Sequence, residues 1–258
     1  MSVTTPCESR ETQRDFSPRG LLLQAAILGG ALVLYLTTRR LTMGSAIDAA
    51  NNARDILHLE SLLGLDVEHE LQNVILDSPS MVTLMNWIYV WGHWPVLGAT
   101  AVWLFTKHRR EFDLFRNALI ISGLLGLVVF ALFPVMPPRL LGMGMVDTID
   151  RWSSSYGVLQ PPSLVNQYAA VPSFHVGWNL LVVFAVFRSV PKSDYRYFAV
   201  LGPIAMVSSV VLTANHFVFD AIAGVALVII AWKLADYIER RRGNTDHEEV
   251  RELSDASS

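Results

Sequence analysis

The feature that most constrains this fold is the stretch of residues 197–232, which contains one acidic residue, Asp220, and no lysine or arginine. A helix needs about 20 apolar residues to cross the hydrocarbon core of a bilayer. The stretch is therefore long enough for two short spans that turn near residues 213–216. The composition agrees, because 52% of the residues are hydrophobic, 17% are charged and the mean hydropathy is +0.37. We predict a polytopic membrane protein.

Four further stretches lack Asp, Glu, Lys and Arg, and they bring the predicted number of spans to six. They are residues 20–38, 78–106, 117–138 and 152–187, the last of which spans only from about Ser173. We predict an all-α bundle of six transmembrane helices over residues 20–238, between polar, disordered tails at 1–19 and 239–258. Cleavage of 20–38 as a signal peptide is the alternative, which the charged pair Arg39–Arg40 directly after it disfavours.

The basic residues set the orientation of these spans. With both termini in the cytoplasm, 15 of the 20 Lys and Arg residues lie on the cytoplasmic side, as the positive-inside rule requires. Residues 39–77 and 139–172 are then extracytoplasmic. The first segment is too polar to span, but some of its apolar residues recur at helical spacing, namely Ile56, Leu59, Leu62 and Leu63. We predict an amphipathic helical hairpin on the outer surface of a multi-pass protein of the cell membrane.

Composition also argues against several kinds of site. The single cysteine, Cys7, cannot form a disulfide or a cysteine-based metal site within one copy. The outer hairpin contains acidic and histidine residues whose spacing matches no standard metal pattern, namely His58, Glu60, Glu68, His69 and Glu70. A net charge of −3 gives no reason to expect a nucleic acid partner. We predict no metal and no other cofactor, and the oligomeric state stays open.

A histidine and an aspartate within the 197–232 stretch carry the strongest chemical signal. His216 and Asp220 are four residues apart, so on a helix they share one face, where the carboxylate can accept a hydrogen bond from one imidazole nitrogen. The other nitrogen then exposes its lone pair, as a nucleophile or general base requires. Ionisable residues at membrane depth are costly and usually functional. The alternative is a pair that only bonds two helices together.

A second polar cluster lies at the start of the fourth span. Pro172 and Ser173 are typical of a helix start, with Ser173 as the N-cap or a first-turn residue. The amide groups of a helix N-terminus suit a phosphate. His175 would lie in that first turn, where its cationic form could protonate a departing oxygen. The alternative is a serine cap next to a histidine at the water interface.

Arg139 forms the third cluster, directly after two prolines that end the third span. Its guanidinium could clamp phosphate oxygens, or it could anchor the chain at the level of the lipid headgroups. The predicted topology brings all three clusters to the outer face. His93 lies in the middle of a span, where a hydrogen bond to a neighbouring helix is favoured over a place in a cavity. Asn166 and Gln167 could contact a headgroup, although their interpretation as loop filler is favoured.

Together the motifs resemble those of the type-2 phosphatidic acid phosphatase superfamily. The residues that carry the resemblance are Pro172-Ser173-x-His175 and His216-x-x-x-Asp220. The segments 133–139 (FPVMPPR) and 170–178 (AVPSFHVGW) look closer to its branch that contains fungal inositol phosphorylceramide synthase and related bacterial proteins. The resemblance covers residues 73–236.

The resemblance implies a six-helix membrane enzyme with a metal-independent mechanism. By that likeness His216 attacks phosphorus to form a phosphohistidine, Asp220 orients it and His175 protonates the leaving group. Ser173 and Arg139 would hold phosphate oxygens, and water or an alcohol would then accept the phosphoryl group. The substrate would be a lipid phosphate or phospholipid, and the acceptor reaction could transfer a headgroup such as inositol phosphate. Hydrolysis of a lipid phosphate or a polyprenyl diphosphate is one alternative. A proton- or ion-coupled transporter is another.

The sequence departs from the superfamily pattern at four positions. Leu132 and Leu140 stand where the pattern has a lysine and a proline, Val210 stands in place of an arginine, and Phe174 in place of a glycine. The phosphate site therefore lacks two cations. This favours a phosphodiester substrate or headgroup transfer over hydrolysis of a doubly charged phosphomonoester.

Overall fold

The computed structural model describes residues 45–152 and 166–255, with side chains up to residue 241, and isolated positions between 22 and 37. Its α-helices in 45–152 and 166–255 are α1 (Ala46–Leu63), α2 (Glu68–Leu76), α3 (Pro79–Trp91), α4 (Trp94–Lys107), α5 (Arg109–Leu132), α6 (Thr148–Trp152), α7 (Phe174–Ser189), α8 (Leu201–Leu212) and α9 (Val218–Asp255). The described part contains no strand, only an isolated bridge between Val135 and Ala169. The predicted all-α class is confirmed for these residues.

Three helical stretches are long and apolar enough to cross a membrane. They are Arg109–Leu132, Asp194–Leu212 and Val218–Arg241, while α7 is a shorter apolar helix of 16 residues. These stretches indicate a membrane protein. The predicted first span, 20–38, and the predicted tail, 1–19, lie outside the continuously described residues. The number of six spans therefore stays a prediction.

The predicted span over 78–106 is divided into two helices, which corrects the expectation of one continuous span. Gly92 ends α3, where its N–H donates to the carbonyl of Ile88. Pro95 lies in the first turn of α4 and has no N–H with which to continue an α-helix from α3. The two helices have different neighbours, since α3 packs against α8 whereas α4 packs against α5 and α7.

The third span also differs from its predicted bounds of 117–138. Helix α5 begins earlier, at Arg109, and ends at Leu132. Three prolines after it prevent the helix from continuing, and the chain there is held to α1. Asn52 donates to the carbonyl of Pro134, and the amide of Met136 donates to the carbonyl of Ala49.

Helices α1 and α2 make up the segment that the sequence predicts as an amphipathic hairpin, and α1 begins with a side-chain cap. Ser45 accepts hydrogen bonds from the amides of Ile47 and Asp48, and Gly64 ends α1 with a φ of 68°. Ile56 is buried against the rest of the protein. The other apolar residues of the predicted stripe are exposed, namely Leu59, Leu62 and Leu63. Its place on the outer surface of a membrane stays a prediction.

Helices α7 and α9 approach closely because two glycines face each other. A Cβ atom on Gly177 would come within 2.8 Å of the carbonyl oxygen of Gly224. A Cβ atom on Gly224 would collide with the carbonyl oxygen of Ser173. The amide of Ser173 donates to the carbonyl of Asp220 at 3.0 Å, so the first turns of the two helices are joined. At its other end α9 continues as a helix to Asp255, beyond residue 239, where the sequence predicted a disordered tail.

Candidate active site

Three segments that are distant in the sequence meet around one cavity. One is the 3₁₀ turn at Pro138–Leu140, which follows α5. The others are the first turn of α7 and the turn between α8 and α9. Each contributes a side chain to the cavity wall, Arg139, His175 and His216 respectively. The structure thus brings together the three polar clusters of the sequence.

His216 and Asp220 are in direct contact. Nδ1 of His216 lies 3.1 Å from Oδ2 of Asp220, and the same oxygen accepts the amide of Phe217 at 3.0 Å. Asp220 is fully buried and His216 is 5% exposed. The sequence placed both residues on one helix, whereas His216 lies in the turn and Asp220 in the first turn of α9. The contact forms because the chain folds back at the start of the helix.

The turn that carries His216 is fixed by its backbone. Ala214 adopts a left-handed conformation with φ of 52°. The amides of Asn215 and His216 both donate to the carbonyl of Val210, at 2.9 and 3.1 Å. The imidazole is therefore held by the end of α8 on one side and by Asp220 on the other.

His175 lies across the cavity from His216. The centroids of the two imidazole rings are 5.9 Å apart. The His175 ring stacks on Tyr89 of α3 at 4.3 Å with an interplanar angle of 20°. The prediction that a helix starts here is confirmed, because α7 begins at Phe174 with Ser173 as its N-cap.

Ser173 is buried at the start of α7. Its side chain makes no capping bond, and its hydroxyl is buried without a hydrogen-bond partner among the described residues. It is also not one of the residues that line the cavity. The expectation that Ser173 holds a phosphate oxygen therefore stays a prediction.

Arg139 lines the cavity with its guanidinium already bound on two sides. Nε donates to Oδ2 of Asp147 at 2.9 Å, and Nη1 donates to Oδ1 of Asn215 at 2.6 Å. Its amide donates to the carbonyl of Ala214. The side chain is only 15% exposed. The guanidinium is thus held in position at the cavity wall. Sequence reasoning missed Asp147 and Asn215 because both partners depend on the tertiary fold.

Comparison with known families agrees with this geometry. A model described as the PAP2 superfamily matches residues 54–234, more than half of the chain. The chain belongs to the PAP2 superfamily. The predicted superfamily is thereby confirmed, and because PAP2 proteins are phosphoesterases, membership supports an enzyme. The match begins within α1, earlier than the predicted boundary at residue 73. Neither a curated protein nor a solved structure matches the chain.

The structure shows where the residues that depart from the PAP2 pattern lie relative to the cavity. Leu132, at the position of the patterned lysine, is 79% exposed, and Val210, at the position of the arginine, is fully buried. Neither lines the cavity. Among the described lining residues, Arg139 is the one with a permanent positive charge. Phe174, at the glycine position, fits because Gly126 leaves space for its ring.

Three residues that sequence reasoning assigned elsewhere also line the PAP2 cavity. His93 was expected to bond a neighbouring helix, but it lies at the cavity wall with its ring centroid 4.4 Å from that of His175. The break between α3 and α4 places it there. Asn166 and Gln167, interpreted as loop filler, are lining residues too. The Gly92-His93-Trp94-Pro95 sequence was the signal for the break.

Proposed function

We propose that this protein is an integral membrane phosphotransferase that acts on a phospholipid at the extracytoplasmic face through a phosphohistidine on His216. The observation that carries the proposal is the arrangement of His216, bonded to Asp220, opposite His175 in one cavity. A lone histidine could be structural. Two imidazoles on either side of a cavity, one of them oriented by a carboxylate, are what nucleophilic attack and leaving-group protonation require.

His216 is the proposed nucleophile. A carboxylate can only accept hydrogen bonds, so Nδ1 carries the proton and donates a hydrogen bond to Asp220. Nε2 then holds the lone pair that attacks phosphorus. As the P–N bond forms, the bond between phosphorus and the leaving oxygen breaks, and the imidazole becomes cationic. The buried carboxylate stabilises that charge while it keeps the ring in position.

His175 is the proposed acid and base. In the first step it gives a proton to the departing oxygen of the lipid. In the second step it removes a proton from the acceptor, which attacks phosphorus and returns His216 to its neutral form. The ring centroids are 5.9 Å apart, so a phosphoryl group that binds in the cavity beside the two rings is within reach of both imidazoles.

The charge of the cavity favours a phosphodiester as the substrate. A phosphodiester carries one negative charge, and Arg139 is the one permanent cation among the described lining residues. Asp147 already offsets part of that charge. The remaining polar wall includes the amides of Asn166, Gln167 and Asn215, which suit the hydroxyl groups of a headgroup. Transfer of a phospho-headgroup such as inositol phosphate is therefore the favoured reaction, as in the inositol phosphorylceramide synthase branch.

The proposed topology has six spans, both termini in the cytoplasm and the cavity outside. Its support is that arginines cluster at the helix ends that lie away from the cavity residues. These ends are the start of α5, the end of α7 and the far part of α9. The single native cysteine, Cys7, offers a test. A membrane-impermeant thiol reagent applied to intact cells should label a Met143→Cys variant and leave Cys7 unlabelled in the parent protein. Labelling of Cys7 alone would reverse the orientation.

The test of function is an assay of the purified protein with a panel of lipid phosphates, polyprenyl diphosphates and phosphodiesters, including an inositol-containing phospholipid, with and without an alcohol acceptor. We expect phosphorus to be transferred to an alcohol from a phosphodiester, with inhibition by vanadate and no loss of activity in chelator. His216→Ala should abolish turnover, whereas His58→Ala, an exposed histidine of α1, should not. Release of inorganic phosphate alone would favour the hydrolase alternative, and ion flux lost in His216→Ala without any turnover would favour a transporter.

A further inference from the structure

The first turn of α9 is held by carboxylates from outside the helix. The amide of Val218 donates to Oε1 of Glu68 at 2.8 Å, and the amide of Phe219 donates to Oε1 of Glu60 at 2.6 Å. The first amides of a helix have no partner within the helix, and the helix dipole favours negative charge there. Glu60 and Glu68 come from α1 and α2, so the hairpin caps the helix that carries the candidate site.

The capping hydrogen bonds lie next to the one that holds the turn of the candidate nucleophile, His216. The amide of Phe217, directly after His216, donates to Asp220. Three successive amides, at residues 217, 218 and 219, therefore donate to three different carboxylates. A shift of Glu60 or Glu68 would move the backbone that carries His216 and Asp220. The family match also includes both glutamates.

The two glutamates are buried as a pair, with exposed fractions of 0% and 1%. Their second oxygens are buried and have no hydrogen-bond donor among the described residues, while their first oxygens accept from the adjacent amides of Val218 and Phe219, which brings the two carboxyl groups together. Neither makes an ion pair with a described basic side chain. Two carboxylates in this arrangement cannot both ionise readily, so one proton between them is favoured.

We propose that Glu60 and Glu68 form a proton-sharing carboxyl pair that positions His216 for reaction. This inference rests on the proposed function of His216. The pair holds the first turn of α9 with one oxygen from each residue, while the shared proton joins the other two oxygens. Both glutamates are positioning residues, since neither lines the cavity.

The electrostatics of the pair support this proposal. Burial, with the nearby carboxylates of Glu68 and Asp220, raises the pKa of Glu60 from its ordinary value of 4.5 to about 8. Burial also raises the pKa of Glu68, and Asp66 of the hairpin turn adds to that effect. Helix α8, which packs against α2, has no titratable residue. The groups that face the pair are thus acidic, with His216 beyond Asp220.

The sign of the pH dependence follows from the raised pKa. An acid that binds its proton more tightly in the folded protein stabilises the fold at low pH, and this contribution is lost as pH rises through the folded pKa. The free energy of unfolding should therefore fall between pH 4.5 and about 8, and the pair itself should lose its proton at about pH 8. Loss of the proton at higher pH leaves two adjacent charges, which should loosen the first turn of α9 and lower kcat.

Glutamine substitutions separate proton sharing from simple packing. In Glu60→Gln the amide oxygen can still accept from Phe219, while the amide nitrogen can donate to Glu68 without a titrating proton. The double variant Glu60→Gln/Glu68→Gln has two donors facing each other and no acceptor between them. Glu60→Ala removes the capping oxygen altogether. Glu70→Gln, an exposed residue of α2, is the matched control.

The experiment measures kcat and KM of the full chain across pH for these variants. Glu60→Ala and the double variant should lower kcat by about 10²-fold with little change in KM, as expected when a reacting group is displaced by about 1 Å. Glu60→Gln should recover most of that loss and should no longer lose activity above pH 8 as the parent does. Glu70→Gln should match the parent. If the double variant keeps the parent's kcat and pH profile, the inference is overturned.

Two further measurements need no turnover. The infrared spectrum should contain a protonated carboxyl band that disappears in the double variant, and hydrogen exchange at the amides of Val218 and Phe219 should be faster there. If these changes occur in a protein whose His216→Ala variant retains activity, the proposed function fails while the pair stands. If His216 is essential but the band and the exchange rates are the same in the parent and in the double variant, the pair is refuted and the proposed function stands.

Discussion

The two ends of the helix bundle hold their carboxylates in different ways. At the basic end, defined here by Arg116, Arg188, Asp236 and Arg240, Asp236 pairs with Arg188 at 3.2 Å and with Arg240 at 2.8 Å. At the cavity end, defined by His216 and Asp220 with the Glu60–Glu68 pair, the carboxylates accept backbone amides and an imidazole nitrogen.

Because of this difference, the ion pairs at the basic end can rearrange in solvent, whereas the buried carboxylates at the cavity end are held in place. The Arg240 side chain is 69% exposed, and such ion pairs contribute only about 0.2–1 kcal/mol. Asp220 is fully buried, and removing one partner of a buried polar group costs about 1–3 kcal/mol. The cavity end is therefore rigid before substrate arrives, which is what a site that orients a nucleophile needs. The basic end has no such requirement, and its arginines suit an orientation signal in the membrane.

The largest effect should come from Asp220→Asn. The asparagine can present its amide nitrogen to Nδ1 and so favour the wrong tautomer of His216, which leaves no lone pair towards the cavity. We expect kcat to fall by about 10⁴-fold with a much smaller change in KM, as for other histidines oriented by a carboxylate. Steady-state kinetics measure this. Turnover equal to that of the parent would refute the orienting role and remove the functional contrast between the two ends.

The next effect should come from Arg139→Lys. A lysine keeps the charge but loses the planar fork that bonds Asp147 and Asn215 at the same time. We expect kcat/KM for the phosphodiester substrate to fall by about 10²-fold, in line with the loss of one donor to a reacting group. Arg116→Lys, at the basic end, is the matched control and should change kcat/KM little. Equal losses in both variants would mean that Arg139 acts through folding.

A smaller effect is expected at His93. His93→Ala removes the ring that lies 4.4 Å from His175, and an aromatic contact of this kind contributes about 0.5–1.5 kcal/mol. The loss in kcat should therefore be at most about tenfold. His93→Phe keeps a ring and should recover the activity. A loss as large as that of His175→Ala, without recovery by phenylalanine, would instead give His93 a part in proton transfer.

The smallest effect is expected from Asp236→Asn at the basic end. It breaks two partly exposed ion pairs, each of which contributes up to about 1 kcal/mol, so the free energy of unfolding should decrease by less than about 2 kcal/mol. The value of kcat should not change. Thermal unfolding and the same kinetic assay check both expectations. A large loss of kcat would contradict the view that the basic end is separate from the chemistry.

The sequence predicted the site best where its signals are local. The spacing of His216 and Asp220 predicts their contact, and the pair Pro172–Ser173 predicts the start of α7. Apolar stretches predict the long helices, although the ends of α5 are displaced by several residues. A run without charges cannot reveal where its helix begins or breaks, because lipid-facing and buried apolar residues look alike in composition.

The partners of the site could not be predicted because they are distant along the chain. Glu60 and Phe219 are 159 residues apart, and Gln72 bonds Val146 across 74 residues. For the polar residues of the predicted outer hairpin, the sequence suggested no role other than metal binding, because no local pattern links a glutamate to a distant helix terminus. For a related reason, the sequence did not favour a place for His93 in the cavity wall. Its position at the cavity depends on how α3 and α4 pack, not on its neighbours in sequence.

The most direct test of the account is to stop the reaction within milliseconds, using a substrate labelled at phosphorus, and to locate the label on the protein. We expect an acid-labile phosphoryl group on His216 of the parent protein and none on His216→Gln, with the label disappearing when an alcohol acceptor is added. A label on another residue, or turnover by His216→Gln at the parent's rate, would contradict the account.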